Sequence, residues 1–231
     1  MTDYHNGGKL DDCARHGSES NSELFVVEGD SAARAVSRVR SQQWQAVLPM
    51  QGKPMNAIKA SQSDLENNAQ YAALLETLGT RIGADFDLSR VRFERIILLF
   101  DPDADGIHAR TLLMLFFHKW MKPLLDAGRI FDARVPRWEI NSAELDGPQF
   151  ASTDEQFHGL RQKLTDDGIV DFKTTRFRGV GSVGADTLAR FCVDPETRAL
   201  SRIRSEDAES AIQVFEELRR LMNAPADDLV T

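Results

Sequence analysis

The sequence predicts an α/β fold with a mostly parallel sheet flanked by helices, followed by a small α+β carboxyl-terminal tail. Apolar runs of strand length alternate with segments that are apolar at helical spacing, a pattern typical of a parallel sheet. Two strands lead directly into acidic residues, a glycine and a helix, and the alternation ends after Pro136. We therefore divide the chain into an amino-terminal arm predicted to be flexible (residues 1–21), an α/β domain (22–140) and the tail (141–231).

The hydrophobic pattern also gives the individual elements. A continuous apolar run such as Ile96-Ile97-Leu98-Leu99-Phe100 is typical of a strand buried on both faces. We predict strands at 23–27, 44–49, 96–100, 129–133, 138–140 and 172–177, and helices at 32–40, 67–79, 107–125, 153–164, 185–191 and 206–222. The segment 80–90 is predicted to be a loop, and Asp30 or Ser31 is predicted to cap the first helix.

Composition excludes several classes of protein. The net charge of −8 argues against a protein that coats nucleic acid by charge alone, although it permits a local basic groove beside an acidic site. No apolar stretch approaches the about 20 residues of a membrane span. Cys13 and Cys192 have neither metal-ligand spacing nor a secretory context, so we expect free thiols in a reducing cytoplasm.

Three aspartates, Asp101, Asp103 and Asp105, follow the strand at 96–100 on one short loop. Carboxylates at such spacing repel one another, so a cation among them would stabilise the loop, and hard oxygen ligands favour Mg²⁺ or Ca²⁺. Glu28 ends the first strand in the same way. Because the carboxyl ends of parallel strands share one edge of the sheet, we expect Glu28 and Asp101 to converge into a metal site.

The aspartate loop and the Gly-Lys loop each allow other interpretations, of which one is excluded by the sequence. An EF-hand is excluded, because the twelfth position counted from Asp101 holds Leu112 instead of a glutamate. The nucleophile loop of aspartate-dependent phosphatases and an acidic helix start without a metal both stay open. The Gly52-Lys53 loop could bind a phosphate, although it lacks the spacing of a P-loop.

Short motifs occur in a fixed order along the chain: Gly8-Lys9-Leu10-Asp11-Asp12-Cys13, Glu28-Gly29-Asp30-Ser31-Ala32, Pro49-Met50-Gln51-Gly52-Lys53-Pro54-Met55-Asn56, the loop from Asp101 to Arg110, Arg176-Phe177-Arg178-Gly179-Val180-Gly181 and Asp194-Pro195-Glu196-Thr197-Arg198. Together they resemble the TOPRIM (Rossmann-like) domain and carboxyl-terminal tail of bacterial type IIA topoisomerase B subunits, the gyrase B and topoisomerase IV B family. The resemblance is collinear over nearly the whole chain.

The resemblance implies Mg²⁺-dependent cleavage and religation of double-stranded DNA in the cytoplasm, at the nucleoid, with Mn²⁺ or Ca²⁺ as possible substitutes. It implies that an A-type partner subunit supplies the nucleophilic tyrosine. No ATP-binding residue can be assigned in this chain. The residues that it implies are Glu28, Asp101 and Asp103 as catalytic metal ligands, Asp105 as a further ligand, Lys53 as a catalytic contact to the DNA phosphate, and Arg110, His108, Arg176 and Arg178 as DNA-binding residues.

The chain also departs from this family. Ala33 and Arg34 stand where the family has two glycines, Gln51 replaces a cation, and Ser182 follows the second glycine of the late motif. The predicted metal ligands are intact, whereas part of the predicted DNA-contacting set is changed. A non-catalytic regulatory module that binds DNA or a partner, and a stand-alone metal-dependent nuclease or phosphatase, are therefore the alternative functions.

Overall fold

The computed structural model describes residues 9–17 and 19–223, with side chains described up to residue 217. The predicted α/β class is confirmed. One sheet has five strands in the order β2-β1-β3-β4-β8, and a second has three in the order β6-β5-β7. The strands are β1 (Glu23–Glu28), β2 (Gln45–Met50), β3 (Arg95–Leu99), β4 (Ile130–Ala133), β5 (Trp138–Asn141), β6 (Gln149–Ala151), β7 (Lys173–Arg176) and β8 (Leu200–Arg202).

Eight α-helices accompany these sheets within the described part of the chain. Their bounds are α1 (Gly29–Val39), α2 (Gln62–Asn67), α3 (Ala69–Leu78), α4 (Ala104–Trp120), α5 (Lys122–Asp126), α6 (Asp154–Asp166), α7 (Ala185–Leu188) and α8 (Ser205–Asn223). None of the described helices is long and apolar enough to cross a membrane.

The centre of the large sheet is parallel and covered on both faces. β1 pairs in parallel with both β2 and β3, and β3 pairs in parallel with β4. Alternate residues of β1 therefore enter two separate cores, with Leu24 and Val26 on one face and Phe25 and Val27 on the other. In this arrangement the carboxyl ends of β1 and β3 meet at one edge, which is where the predicted acidic residues lie.

The tail returns to the large sheet instead of forming a separate layer. β8 pairs antiparallel with β4, with Asp132 opposite Ser201. The small sheet has β5 at its centre, although Trp138–Ile140 was placed with the first domain from the sequence. The sequence analysis does not predict the short strands β6 and β8, because three residues are too few to give a periodic signal.

Several predicted boundaries need correction. The helix predicted at 107–125 begins at Ala104 and is interrupted at Met121, because Pro123 has no amide hydrogen to continue the helix. The first helix begins at Gly29 with Glu28 at the N-cap, so neither Asp30 nor Ser31 caps it. Segment 80–90 contains two short 3₁₀ turns, and the helix predicted at 185–191 continues beyond Leu188 as a π-helical segment.

The described part of the amino-terminal arm is held by backbone hydrogen bonds to β2 and to the residues that precede β2 and β3. Asp11 exchanges two backbone hydrogen bonds with Val47, each 2.9 Å long. The amide of Arg15 donates to Gln43, and the amide of Gly17 donates to Arg92. Residues 11–17 are therefore held by ordered backbone hydrogen bonds, within the segment that the sequence predicts to be a flexible arm. Residues 1–8 and 18 lie outside the described residues.

A buried ion pair fastens the tail to the first strand. The carboxylate of Glu23, at the start of β1, is fully buried and forms a bidentate pair with Arg198 of the tail. Gln45 of β2 donates to the same carboxylate at 2.9 Å and also to the carbonyl of Val193. Arg95, at the start of β3, also reaches this carboxylate at 3.2 Å. Loss of Arg198 would therefore leave the buried Glu23 charge with only Gln45 and the partly exposed Arg95 as partners.

We predict that Arg198→Ala lowers the free energy of unfolding by about 3–5 kcal/mol, because it leaves the buried Glu23 carboxylate with a much weaker set of partners. Arg204→Ala, at an exposed position close by in the tail, is the matched control and should change stability by less than about 0.5 kcal/mol. Urea denaturation measures both values. Equal losses for the two variants would contradict the importance of the pair.

A second prediction concerns alkaline stability. Burial raises the pKa of the Cys192 thiol from 9.0 to about 12. Below about pH 9 the thiol is protonated in both states, whereas at higher pH only the unfolded chain ionises, so stability is lost as the pH rises towards about 12. Cys192→Ala should reduce the slope of this loss by up to about 1.4 kcal/mol per pH unit. Urea denaturation at several alkaline pH values tests it, and parallel curves for parent and variant would refute it.

Candidate functional site

The acidic residues of the two repeated strand–acid–helix units lie at one edge of the large sheet. Glu28 is the last residue of β1, and Asp101 follows β3 by two residues. Burial raises the pKa of Glu28, and the carboxylates of Asp101 and Asp103 raise it further. One carboxylate oxygen of Glu28, Oε2, is buried and finds no hydrogen-bond partner among the described residues. Glu28 therefore faces other acids with one buried oxygen that has no partner among the described residues.

Asp101 is held by a loop of the tail. Its Oδ1 accepts a hydrogen bond from the amide of Val180 at 2.7 Å. Its Oδ2 faces Gly179, where a Cβ atom would lie only 2.1 Å away. Burial raises the pKa of Asp101, and the Val180 hydrogen bond lowers it in part. The tail thus fixes the orientation of a predicted metal ligand of the α/β domain.

The other two aspartates have different environments. Asp103 caps α4 by accepting a hydrogen bond from the amide of Gly106 at 2.8 Å. Gly106 allows the turn into the helix, because a Cβ at this position would lie 2.2 Å from the carbonyl oxygen of Asp101. Asp105 is exposed in the first turn of α4 and pairs with Lys53 at 3.0 Å. The carboxylate of Asp103 is thus bonded to the first turn of α4, whereas the carboxylate of Asp105 is paired with Lys53.

The donor set fits a hard divalent cation. All four side chains offer oxygen, and the buried Oε2 of Glu28 lacks a partner among the described residues. The oxygens are not preassembled, however. In the described part of the chain, the one group of three acidic, histidine or cysteine side chains with ligand atoms all within 4.8 Å of one another lies elsewhere, at residues 12–16. A cation at the sheet edge would therefore require the carboxylates to turn inward.

The Gly-Lys loop after β2 is connected to both acidic motifs. Gln51 donates from Nε2 to Oδ1 of Asp30 at 2.6 Å, and Lys53 pairs with Asp105. Gly52 between them has φ +76°, a conformation that favours glycine. The structure therefore places the predicted phosphate-binding Lys53 beside the acidic edge, with its ammonium group already paired.

Besides Lys53, the predicted DNA-binding residues fall into three groups. Arg176 and Arg178 line a cavity of about 510 Å³ together with Asp103. Arg110 lines another cavity, of about 240 Å³, which also contains Asp101, but its guanidinium pairs with Asp132. His108 is exposed, and its ring lies 6.5 Å from that of Phe215 on α8. Both cavities thus place arginines beside a predicted metal ligand, but the guanidinium of Arg110 is already paired with an acid.

Sequence reasoning missed Arg134 and Arg137. Arg137 lines both cavities and pairs with Asp154 at 3.3 Å, and Arg134 lines the smaller one. Arg134 follows β4 directly and Arg137 ends the connection to β5, and both line the cavity that contains Asp101. Basic residues just beyond the carboxyl end of a parallel strand were the signal that could have identified them.

We predict that Gly179→Ala weakens binding of Mg²⁺ by at least about tenfold, because the added Cβ displaces the Asp101 carboxylate from its position. Gly184→Ala is the matched control, since no atom lies within 4 Å of the Cβ that it adds. Calorimetric titration with Mg²⁺ measures both affinities. Unchanged affinity in Gly179→Ala would show that the orientation of Asp101 does not matter for the cation.

The sequence of this chain is similar to a known domain family and to several known proteins. The Toprim domain family matches residues 23–138. The DNA gyrase B subunit of Thermotoga maritima is 38% identical over 211 residues, and these cover 91% of this chain and 32% of the relative. The corresponding proteins of Staphylococcus epidermidis and Staphylococcus aureus are 36% identical over the same length. The chain thus spans about a third of the length of these relatives. It belongs to the Toprim family, with its acidic edge formed by β1 and β3 of that domain.

Proposed function

We propose that this chain is the metal-dependent DNA cleavage and religation core of a type II topoisomerase B-like subunit. The observation that carries the proposal is the convergence of Glu28 and Asp101 at the edge of a Toprim sheet, with Asp103 beside them. The similarity to DNA gyrase B subunits supports the same function. We expect the substrate to be double-stranded DNA in the cytoplasm, at the nucleoid.

Glu28, Asp101 and Asp103 would hold Mg²⁺, or Mn²⁺ or Ca²⁺ in its place, with Asp105 as a further ligand once Lys53 is drawn away. When bound, the ion supplies positive charge beside a phosphodiester and its leaving oxygen. The amide of Val180 keeps Asp101 oriented through its hydrogen bond to Oδ1. Because burial raises the pKa of Glu28, this side chain is suited to hold a proton during religation.

The basic side chains would position the DNA backbone. Arg137, Arg176 and Arg178 line one cavity with Asp103, so they present cations next to the acidic edge. Such contacts to phosphates fix the register of a duplex without reading its sequence. Lys53 would exchange its partner Asp105 for a phosphate near the cut. Arg110 and His108 would support the loop and contact the backbone.

The nucleophile would come from an A-type partner subunit. The chain has two tyrosines, and Tyr4 lies outside the described residues. Tyr71 is fully buried, and its hydroxyl donates to the carbonyl of Met55 at 2.7 Å. Burial also raises the pKa of Tyr71 well above its ordinary value. Tyr71 is therefore unsuited to attack a phosphodiester.

The decisive experiment is plasmid cleavage in Mg²⁺ with and without an A-type subunit from the same source, stopped with detergent and protease. We predict partner-dependent double-strand breaks that fall by at least about a hundredfold in Asp101→Asn, since this change removes a ligand charge and keeps the shape. Asp146→Asn, in an exposed turn of the tail, is the matched control and should cleave like the parent.

Cleavage without a partner would replace this proposal with a stand-alone nuclease. Absence of cleavage, with a complex still formed on a sizing column, would favour the second candidate, a regulatory module that binds the partner or DNA. One observation supports that candidate: Gln51 stands where the family has a cation, and its amide is bonded to Asp30. A phosphatase would hydrolyse a phosphomonoester without any partner.

A further inference from the structure

We propose that Asp12, Cys13 and His16 form a Zn²⁺ site, separate from the acidic edge and outside the residues matched by the Toprim family. One ligand atom from each of these side chains lies within 4.8 Å of the other two. His16 Nε2 lies 3.6 Å from Oδ1 of Asp12. A small inward movement of each side chain is enough to bring a sulfur, a nitrogen and an oxygen around one ion.

The chain around these residues is held in place before any ion binds. Backbone hydrogen bonds join Asp11 to Val47, Arg15 to Gln43 and Gly17 to Arg92, with lengths between 2.7 and 2.9 Å. The three ligands therefore lie on a segment held by β2 at one end and by the residues that precede β2 and β3 at the other. A fixed backbone lowers the entropic cost of assembling a metal site, since mainly the side chains have to be ordered.

The ring of His16 is also oriented. It packs edge-on against Phe93, with ring centroids 5.4 Å apart and planes at 82°. This contact directs Nε2 towards Asp12, as the 3.6 Å distance between Nε2 and Oδ1 shows. The side chains of His16 and Asp12 are partly exposed, whereas Cys13 is buried. A bound ion would therefore have protein on one side and solvent on the other.

The chemistry of the donor set selects zinc. A thiolate and an imidazole suit Zn²⁺, whereas Mg²⁺ and Ca²⁺ prefer oxygen ligands. Binding moves the Cys13 thiol proton to solvent, so the thiolate and the Asp12 carboxylate together balance the charge of the ion. Three protein ligands with water in the fourth position form a tetrahedral site with one open position.

Arg92 at first sight competes with the ion. Its Nη2 lies 2.6 Å from Oδ2 of Asp12 and 3.0 Å from Nε2 of His16. The ion needs Oδ1, the oxygen that faces His16, so Arg92 can keep its bond to Oδ2 and lose only the contact to His16. A hydrogen bond to the free oxygen of a ligating carboxylate is a common outer contact in metal sites.

Titration of the full chain with Co²⁺, after treatment with a chelator, tests the site. Cobalt bound to a thiolate gives a near-ultraviolet charge-transfer band that carboxylate-bound cobalt lacks, so binding at the acidic edge does not contribute. We expect this band in the parent, its displacement by Zn²⁺, and at least about a tenfold loss of Zn²⁺ affinity in Cys13→Ser. Cys192→Ser removes the other buried cysteine, which lies in the core on the opposite face of the sheet, and should keep both properties.

His16→Ala is a second ligand variant at a partly exposed position, with its fold checked by circular dichroism. It should retain the native spectrum and lose Zn²⁺ affinity to a similar extent. Absence of the thiolate band in the parent would overturn the proposal. So would a band that persists in Cys13→Ser, or unchanged Zn²⁺ affinity in the folded His16→Ala variant.

Discussion

The buried carboxylate of Glu23 is the contact on which the arrangement of the tail depends. It starts the central strand β1, and it accepts hydrogen bonds from Gln45 of the neighbouring strand and from Arg198 of the tail. Arg198 in turn reaches the carbonyl of Val193, which also accepts from Gln45. Because the Glu23 carboxylate is buried, its charge has to be balanced by these partners, and they can do so in only one geometry. The tail is therefore held against the sheet at one position and cannot slide along it without exposing unpaired groups.

This attachment has a consequence at the opposite, carboxyl end of β1. The tail first passes the acidic edge, where Gly179 and Val180 contact Asp101, and then reaches Arg198 and β8. Asp101 thus lies in the α/β domain, but its carboxylate accepts a hydrogen bond from the tail. The two parts of the chain form one site, because the orientation of the acid depends on both of them.

The central strands and the acidic residues at their ends are predictable from the sequence. The strands β1 and β3 are continuous apolar runs buried on both faces, so their position and the convergence of Glu28 with Asp101 follow from pattern and from parallel pairing. The glycines Gly179 and Gly181 also stand out in the sequence as part of a motif. Only the fold explains the first of them, because it shows that Gly179 faces the carboxylate of Asp101, a residue far away in sequence.

The failures share a physical origin as well. β6 and β8 are too short to give a local pattern, and β8 in addition exists through its pairing with β4, which is distant in sequence. Arg134 and Arg137 are significant because the carboxyl end of β4 brings them to the acidic edge. The proposal for Cys13 likewise depends on the fold, since backbone hydrogen bonds from residues 11–17 to β2 and to the residues before β2 and β3 hold the segment that carries Asp12 and His16.

The bridge between Lys53 and Asp105 gives the acidic edge an internal counterion. The two side chains are 45% and 77% exposed, so their pairing is worth at most about 1 kcal/mol and weakens with salt. In the proposed function, Asp105 would hold the ammonium group of Lys53 near the acids until DNA binds. A duplex would bring many phosphates at once and displace one weak carboxylate, whereas a small monoanion would have no such advantage. Asp105 would therefore restrict Lys53 to polyanions.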